Sequence, residues 1–268
     1  MRRRAMGAAM AVMLVSTTAI GCTGRGGGGG GSPTTGSAAV AGGAIAVTDL
    51  ARSVRFYTGL GMTQRSTGNP DGVEEVTLAF AAGTATLTLQ HHTDGRQPDA
   101  QRWPGKLVFG AANTTTFASR IRAGGGQVTS NAVIATFGRD PDGYLLEINS
   151  GNTDRINAFG VGAGDLDRTE AFYTAVIGTR RTMSFNLQFR EYVVQAPGGG
   201  PALALMHWVD GSPRNYRDNL GKLVFTVSDA AAAAARVTAA GGQVVQPALD
   251  GVAVAKDLDG TVIELRQR

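Results

Sequence analysis

The pentapeptide GKLVF occupies residues 105–109 and returns at 221–225. The chain holds 25 Lys and Arg together, yet only three are lysines, Lys106, Lys222 and Lys256, and two of these stand at the same place in the same pentapeptide. Shifting the chain against itself by 116 residues extends the match outward in both directions. TDLARSVRFYTGLG (48–61) meets GDLDRTEAFYTAVIG (164–178), and AGGGQV meets AGGQVV with Gln127 opposite Gln243. Near the ends the shift becomes 117, and DPDGYLLEI (140–148) meets DLDGTVIEL (257–265). Two repeats are therefore expected, at about 43–150 and 156–268, joined by SGNTDR.

Within each repeat the local signals come in a fixed order. Apolar AIAV is followed by Asp49, a helix N-cap, and by a short helix that carries Phe56 and Tyr57 before Gly59. VTLAF and TATLTLQ alternate with the strand period and are separated by Ala-Ala-Gly, which predicts a hairpin. The pattern then restarts with KLVF, Asn113 as a second cap, a helix to Ala123, a glycine cluster that ends it, and the strands QVTSNAVI and YLLEI. Each repeat is thus a doubled β-α-β-β-β unit, and the fold class is α+β.

DL-x-x-S-x-x-FY-x-x-LGM, the AGGGQV turn and DPDGYLLEI, in that order and twice over, resemble the vicinal oxygen chelate superfamily, which includes glyoxalase I, extradiol dioxygenases and bleomycin-resistance-type binding proteins. The resemblance implies two tandem domains, each of two β-α-β-β-β modules curled around a cleft. It also implies four metal-ligand positions per domain, supplied by His, Gln or Glu. Here the first falls on Gly42 and Ala158, the second on Thr88 and Ala204, the third on Lys106 and Lys222, and the fourth on Glu147 and Glu264. Only the glutamates can bind a cation, and an ammonium has three donors and no acceptor. No metal or other cofactor is expected. Lys106 and Lys222 read as fixed positive charges that partner Glu147 and Glu264, since a carboxylate taken out of water needs a partner or a proton. Two copies of one ancestral domain would also share these residues without any present use.

By strand parity Thr84, Thr86, Thr88, Gln90 and His92 would line the first cleft, with Ala202, Ala204, Met206 and Trp208 as their counterparts in the second. Ligand-binding residues are thus expected at Lys106, Glu147 and Thr88 in one cleft and at Lys222, Glu264 and Trp208 in the other. Of the three histidines, His91 and His92 read as loop or rim residues and His207 falls on the Leu203/Leu205 face, away from the cleft, so none is expected to be a metal ligand.

The first 42 residues carry a different message. Arg2, Arg3 and Arg4 precede an apolar run at 5–20 that ends in Gly21-Cys22, and AIGC resembles a bacterial lipobox. Residues 1–21 read as a lipoprotein signal peptide, Cys22 as the lipidation site, and the Gly/Ser-rich 22–42 as a tether reaching about 25 Å. The expected location is the outer face of the cell membrane, held by a lipid anchor. Loss of 1–21 would remove three arginines and no acid, so the formal charge of +4 falls to +1 and the high pI is no argument for nucleic acid. With a single cysteine no internal disulfide can form. The expected partner is a small molecule bound without metal. The alternatives are a lyase or dioxygenase, or a structural envelope protein that uses these domains for protein contacts.

Overall fold

The computed structural model describes residues 38–131, 135–186, 188–216 and 221–268. The lipobox and Cys22 lie outside the described residues.

The first module comprises β1 (Ala39–Ala46), α1 (Leu50–Gly59), β2 (Thr63–Gly68), β3 (Val73–Ala79) and β4 (Thr86–His92). The second comprises β5 (Leu107–Ala111), α2 (Thr114–Ala123), β6 (Gln127–Asn131), β7 (Thr136–Arg139) and β8 (Leu145–Ser150). In the third, β9 (Arg155–Gly162) and α3 (Leu166–Ile177) lead into β10 (Arg180–Asn186), β11 (Phe189–Gln195) and β12 (Ala202–Trp208). β13 (Lys222–Val227), α4 (Ala230–Ala239), β14 (Gln243–Leu249), β15 (Val252–Lys256) and β16 (Val262–Gln267) complete the fourth.

Each helix starts where its cap residue stands. The side chains of Asp49, Asn113, Asp165 and Asp229 each accept a hydrogen bond from the backbone N–H three residues on, which satisfies one of the donors a helix start leaves unpaired. After α2 and α4 the chain reverses through Gly125 and Gly241, both at φ +87. That left-handed conformation is one a side chain disfavours, which accounts for the recurring glycine cluster.

The strands form two eight-stranded sheets, and each sheet takes one module from each repeat. One runs β14-β15-β16-β13-β1-β4-β3-β2 and the other β10-β11-β12-β9-β5-β8-β7-β6. The joints are antiparallel: β1 pairs with β13, with Ala44 opposite Lys222, and β5 pairs with β9, with Val108 opposite Ala158. The four expected modules are present, but neither repeat contains a whole sheet. The helices pack against the strands of their own modules, and Phe56, Tyr57, Phe117, Phe172, Tyr173 and Phe225 are fully buried.

A second kind of contact ties the two modules of one repeat together. Tyr57, on α1, donates its hydroxyl to Asp140 Oδ2 at 2.8 Å, and Oδ1 of the same carboxylate accepts backbone N–H groups of Asp142, Gly143 and Tyr144. Tyr173 and Asp257 repeat the arrangement at 2.8 Å, with Asp259 and Thr261 supplying the N–H groups. The FY and D-x-D-G motifs that make the repeats recognisable are the two halves of this latch.

Candidate functional site

Three charged side chains of the second sheet meet at one point on the wall of a cavity. Lys106 immediately precedes β5, Glu147 lies on β8, and Glu191 lies on β11 of the other repeat. Lys106 Nζ donates to Glu147 Oε2 and to Glu191 Oε2, both at 2.6 Å, and lies 5.0 Å from the centroid of the Phe189 ring. The Lys106 and Glu191 side chains are 3% and 4% exposed, against 15% for Glu147, so the ammonium is out of water and only Glu147 opens appreciably to solvent. Burial pushes the Glu191 carboxyl above its ordinary range, against the pull of Lys106.

The cavity has a volume of about 570 Å³. Val108, Ala158, Val193, Ala202 and Ala204 form its apolar wall, Met183 and Phe185 of edge strand β10 overhang it, and Asn149 and Arg155 supply further polar groups. The β3–β4 turn of the other sheet, including Thr84, closes one side.

The first sheet carries the related trio Lys222, Glu264 and Glu75. Lys222 Nζ lies 3.1 Å from Glu264 and 3.9 Å from Glu75, with its side chain 22% exposed. Arg266 is a second cation on Glu264, and Gln90 donates to Glu75 at 2.5 Å. Burial raises the pKa of Glu264, but Lys222 and Arg266 outweigh it and hold the carboxyl below its usual range.

The two lysine–glutamate pairs therefore form, but the expected grouping of the cleft residues does not. Thr88 stands with Lys222 and Glu264, on the strand beside β1, and bonds Thr77 Oγ1 at 3.0 Å. Ala204, expected with Lys222, stands with Lys106 and Glu147. The cause is the exchange of modules between sheets: a cleft joins the second half of one repeat to the first half of the other. Trp208 is on the Lys106 side and is not part of the cavity wall. Its Nε1 donates to Pro104 O at 2.8 Å, its ring packs on Phe189, and the Arg214 guanidinium covers it at 4.0 Å. His91 and His207 pair through Nδ1 with the carbonyls of Val47 and Ala163, and His92 Nδ1 lies 3.1 Å from Arg96.

Glu75 and Glu191 were missed as site residues. They are an identity at the 116-residue shift, VEEVTLAF against FREYVVQA, but each sits in a charged stretch that reads as the solvent face of a hairpin.

The family model described as Glyoxalase/Bleomycin resistance protein/Dioxygenase superfamily matches residues 39–148 and again 155–265. The chain belongs to this superfamily. Among curated superfamily proteins, the lactoylglutathione lyase of Salmonella typhimurium is 32% identical over 118 residues, which is 39% of this chain and 86% of that one. Among solved structures, glyoxalase I from Zea mays superposes with a TM-score of 0.72 at 20% identity, covering 86% of this chain and 92% of that chain. A putative dioxygenase from Bacillus subtilis superposes with a TM-score of 0.64 at 15% identity, covering 85% and 84%. These likenesses establish the fold.

The divalent ion expected of metal-dependent superfamily members does not fit the donors present. Among the described residues there is no group of three or more His, Cys, Asp or Glu that could hold one. At the third ligand position an ammonium already occupies the carboxylate of the fourth. The first position of that cleft is Ala158, whose side chain offers no donor atom, and in the first sheet it is Gly42, where a Cβ would lie 2.5 Å from Thr86 Oγ1 and 2.6 Å from Thr86 O, so that no side chain fits there without backbone movement.

Proposed function

We propose that the protein binds a small molecule in the cavity of the second sheet and does so without a divalent ion. The observation that carries this reading is the Lys106 ammonium, 2.6 Å from two carboxylates on the wall of a 570 Å³ cavity, where a superfamily enzyme would hold its metal. A cavity of that size, apolar on its walls and polar at a few convergent points, matches the general character of small-molecule sites. Elemental analysis of the dialysed protein should find far less than one zinc, nickel, manganese or iron per chain. A small-molecule screen followed by thermal shift should yield hits whose effect is lost when the cavity wall is filled by Ala202→Phe. Stoichiometric metal that disappears in Glu147→Ala would overturn the metal-free reading.

The alternative is a lyase, favoured by the 32% identity to a lactoylglutathione lyase. Lactoylglutathione lyase turnover that depends on added divalent metal and is abolished by Glu147→Ala would establish it in place of the first reading.

We further propose that the domains stand at the outer membrane face on an acylated Cys22, a reading supported by the lipobox-like AIGC and the Gly/Ser-rich segment after it. Full-length protein expressed in a bacterium should partition with membranes, whereas Cys22→Ser should incorporate no labelled lipid. Mature soluble protein with a free Cys22 thiol would refute it.

A further inference from the structure

The two clefts present the same lysine between the same two glutamates but do not balance charge in the same way. In the first sheet the trio has a fourth member: Arg266, on β16 two residues after Glu264 and on the same face, so that two cations meet two carboxylates. The residue at the equivalent place in the second sheet is Asn149, two residues after Glu147 on β8. The registers agree, with Val224 opposite Glu264 in one sheet and Val108 opposite Glu147 in the other. Asn149 brings no charge and lines the cavity.

In the second sheet one ammonium is thus left to serve two carboxylates. Lys106 takes the Oε2 atom of each, and among the described residues neither Oε1 has a protein hydrogen-bond partner. Among the described residues Arg155 is the only other charged residue on the cavity wall, and it is directed to Asn157 Oδ1 at 2.7 Å. The upward push of burial on Glu191 is what an under-compensated negative charge would show.

We infer that the cavity selects molecules carrying an organic cation, an ammonium or amidinium group on an apolar body, and that the ligand's cation takes the place in the second sheet that Arg266 holds in the first. The free Oε1 atoms and the Asn149 carbonyl supply acceptors for its N–H donors, and the Met183, Phe185 and Val193 side chains receive the apolar part. Charge-assisted hydrogen bonds of this kind exceed neutral ones, so the selection is a matter of affinity as well as fit.

This inference rests on the proposal that the cavity binds a small molecule, and three probes of matched shape separate the two. 3-Phenylpropylamine, 3-phenylpropanol and 3-phenylpropionate differ chiefly in the charge of one end. By calorimetric titration of the intact protein the amine should bind about tenfold more tightly than the alcohol, and the carboxylate most weakly. Glu191→Gln should remove most of the amine's advantage over the alcohol, and so should Asn149→Arg, which writes the first sheet's second cation into the cavity. Circular dichroism and melting curves establish that both variants fold, and Glu147→Gln provides a third should either fail. If the alcohol or the carboxylate binds in the cavity as tightly as the amine, or if the amine's advantage survives in both variants, cation selection is wrong while small-molecule binding stands. If none of the three binds, both fall.

Discussion

Lys106→Met is expected to lower the unfolding free energy by about 3–5 kcal/mol, the range for removing one partner from a buried ion pair. Two carboxylates, each 2.6 Å from the ammonium and one of them 4% exposed, lose at once the only cation that pairs with them among the described residues. They must then repel each other or take up protons. Adding Glu191→Gln should restore a substantial part of the loss, because the remaining Glu147 can turn to solvent. Lys222→Met should cost under about 1 kcal/mol, since that lysine is 22% exposed and Arg266 stays on Glu264. Urea titrations of the single and double variants measure all of these. Equal losses at the two lysines, or no coupling between Lys106 and Glu191, would mean that the trio is not an interacting unit.

Asp140→Ala should be comparably damaging for a different reason. It strands the buried Tyr57 hydroxyl and the buried Tyr144 N–H, and takes the carboxylate acceptor from the half-buried N–H groups of Asp142 and Gly143; each buried unpaired donor costs about 1–3 kcal/mol. A loss on the order of 4 kcal/mol or more is expected by chemical denaturation, whereas Asp140→Asn keeps an acceptor for the N–H groups and should cost much less. The aspartate also sets a pH dependence. Burial raises its pKa from 3.8 to about 6, against the hydrogen bonds that favour the anion. A group whose pKa is raised on folding contributes its stability fully below the unfolded value and loses it as pH climbs through the folded one. Relative to Asp140→Asn, the wild type should therefore lose stability between pH 3.8 and about 6. A difference that stays flat over this interval, or rises, would contradict that sign. Loss of under about 1 kcal/mol in Asp140→Ala would mean that the latch does not hold the modules.

These two sites differ in how far they were legible in the sequence. The modules were legible because their cues are local: a cap three residues before a free N–H, a glycine where φ must be positive, alternation along a hairpin. Lys106 with Glu147 was also legible, both belonging to one module. Glu191 was not, because it reaches Lys106 only through the β5–β9 joint, between strands of different repeats. Nothing in either strand's own pattern names its partner, since each joint is a run of apolar and small residues that would pair as well with the homologous strand. Thr88 was drawn to the wrong cleft by the same ambiguity.

The shared sheets also bear on descent. A polypeptide with a single repeat could complete this architecture only by associating with a second copy of itself, and both grooves of such a homodimer would be identical by symmetry. Every substitution would then appear in both at once. Covalent fusion lifts that restriction: a change at Asn149 alters one groove and leaves the other as it was. The threonine-lined, charge-balanced face and the apolar, cation-deficient one are a pair of environments that no symmetric ancestor could have held together.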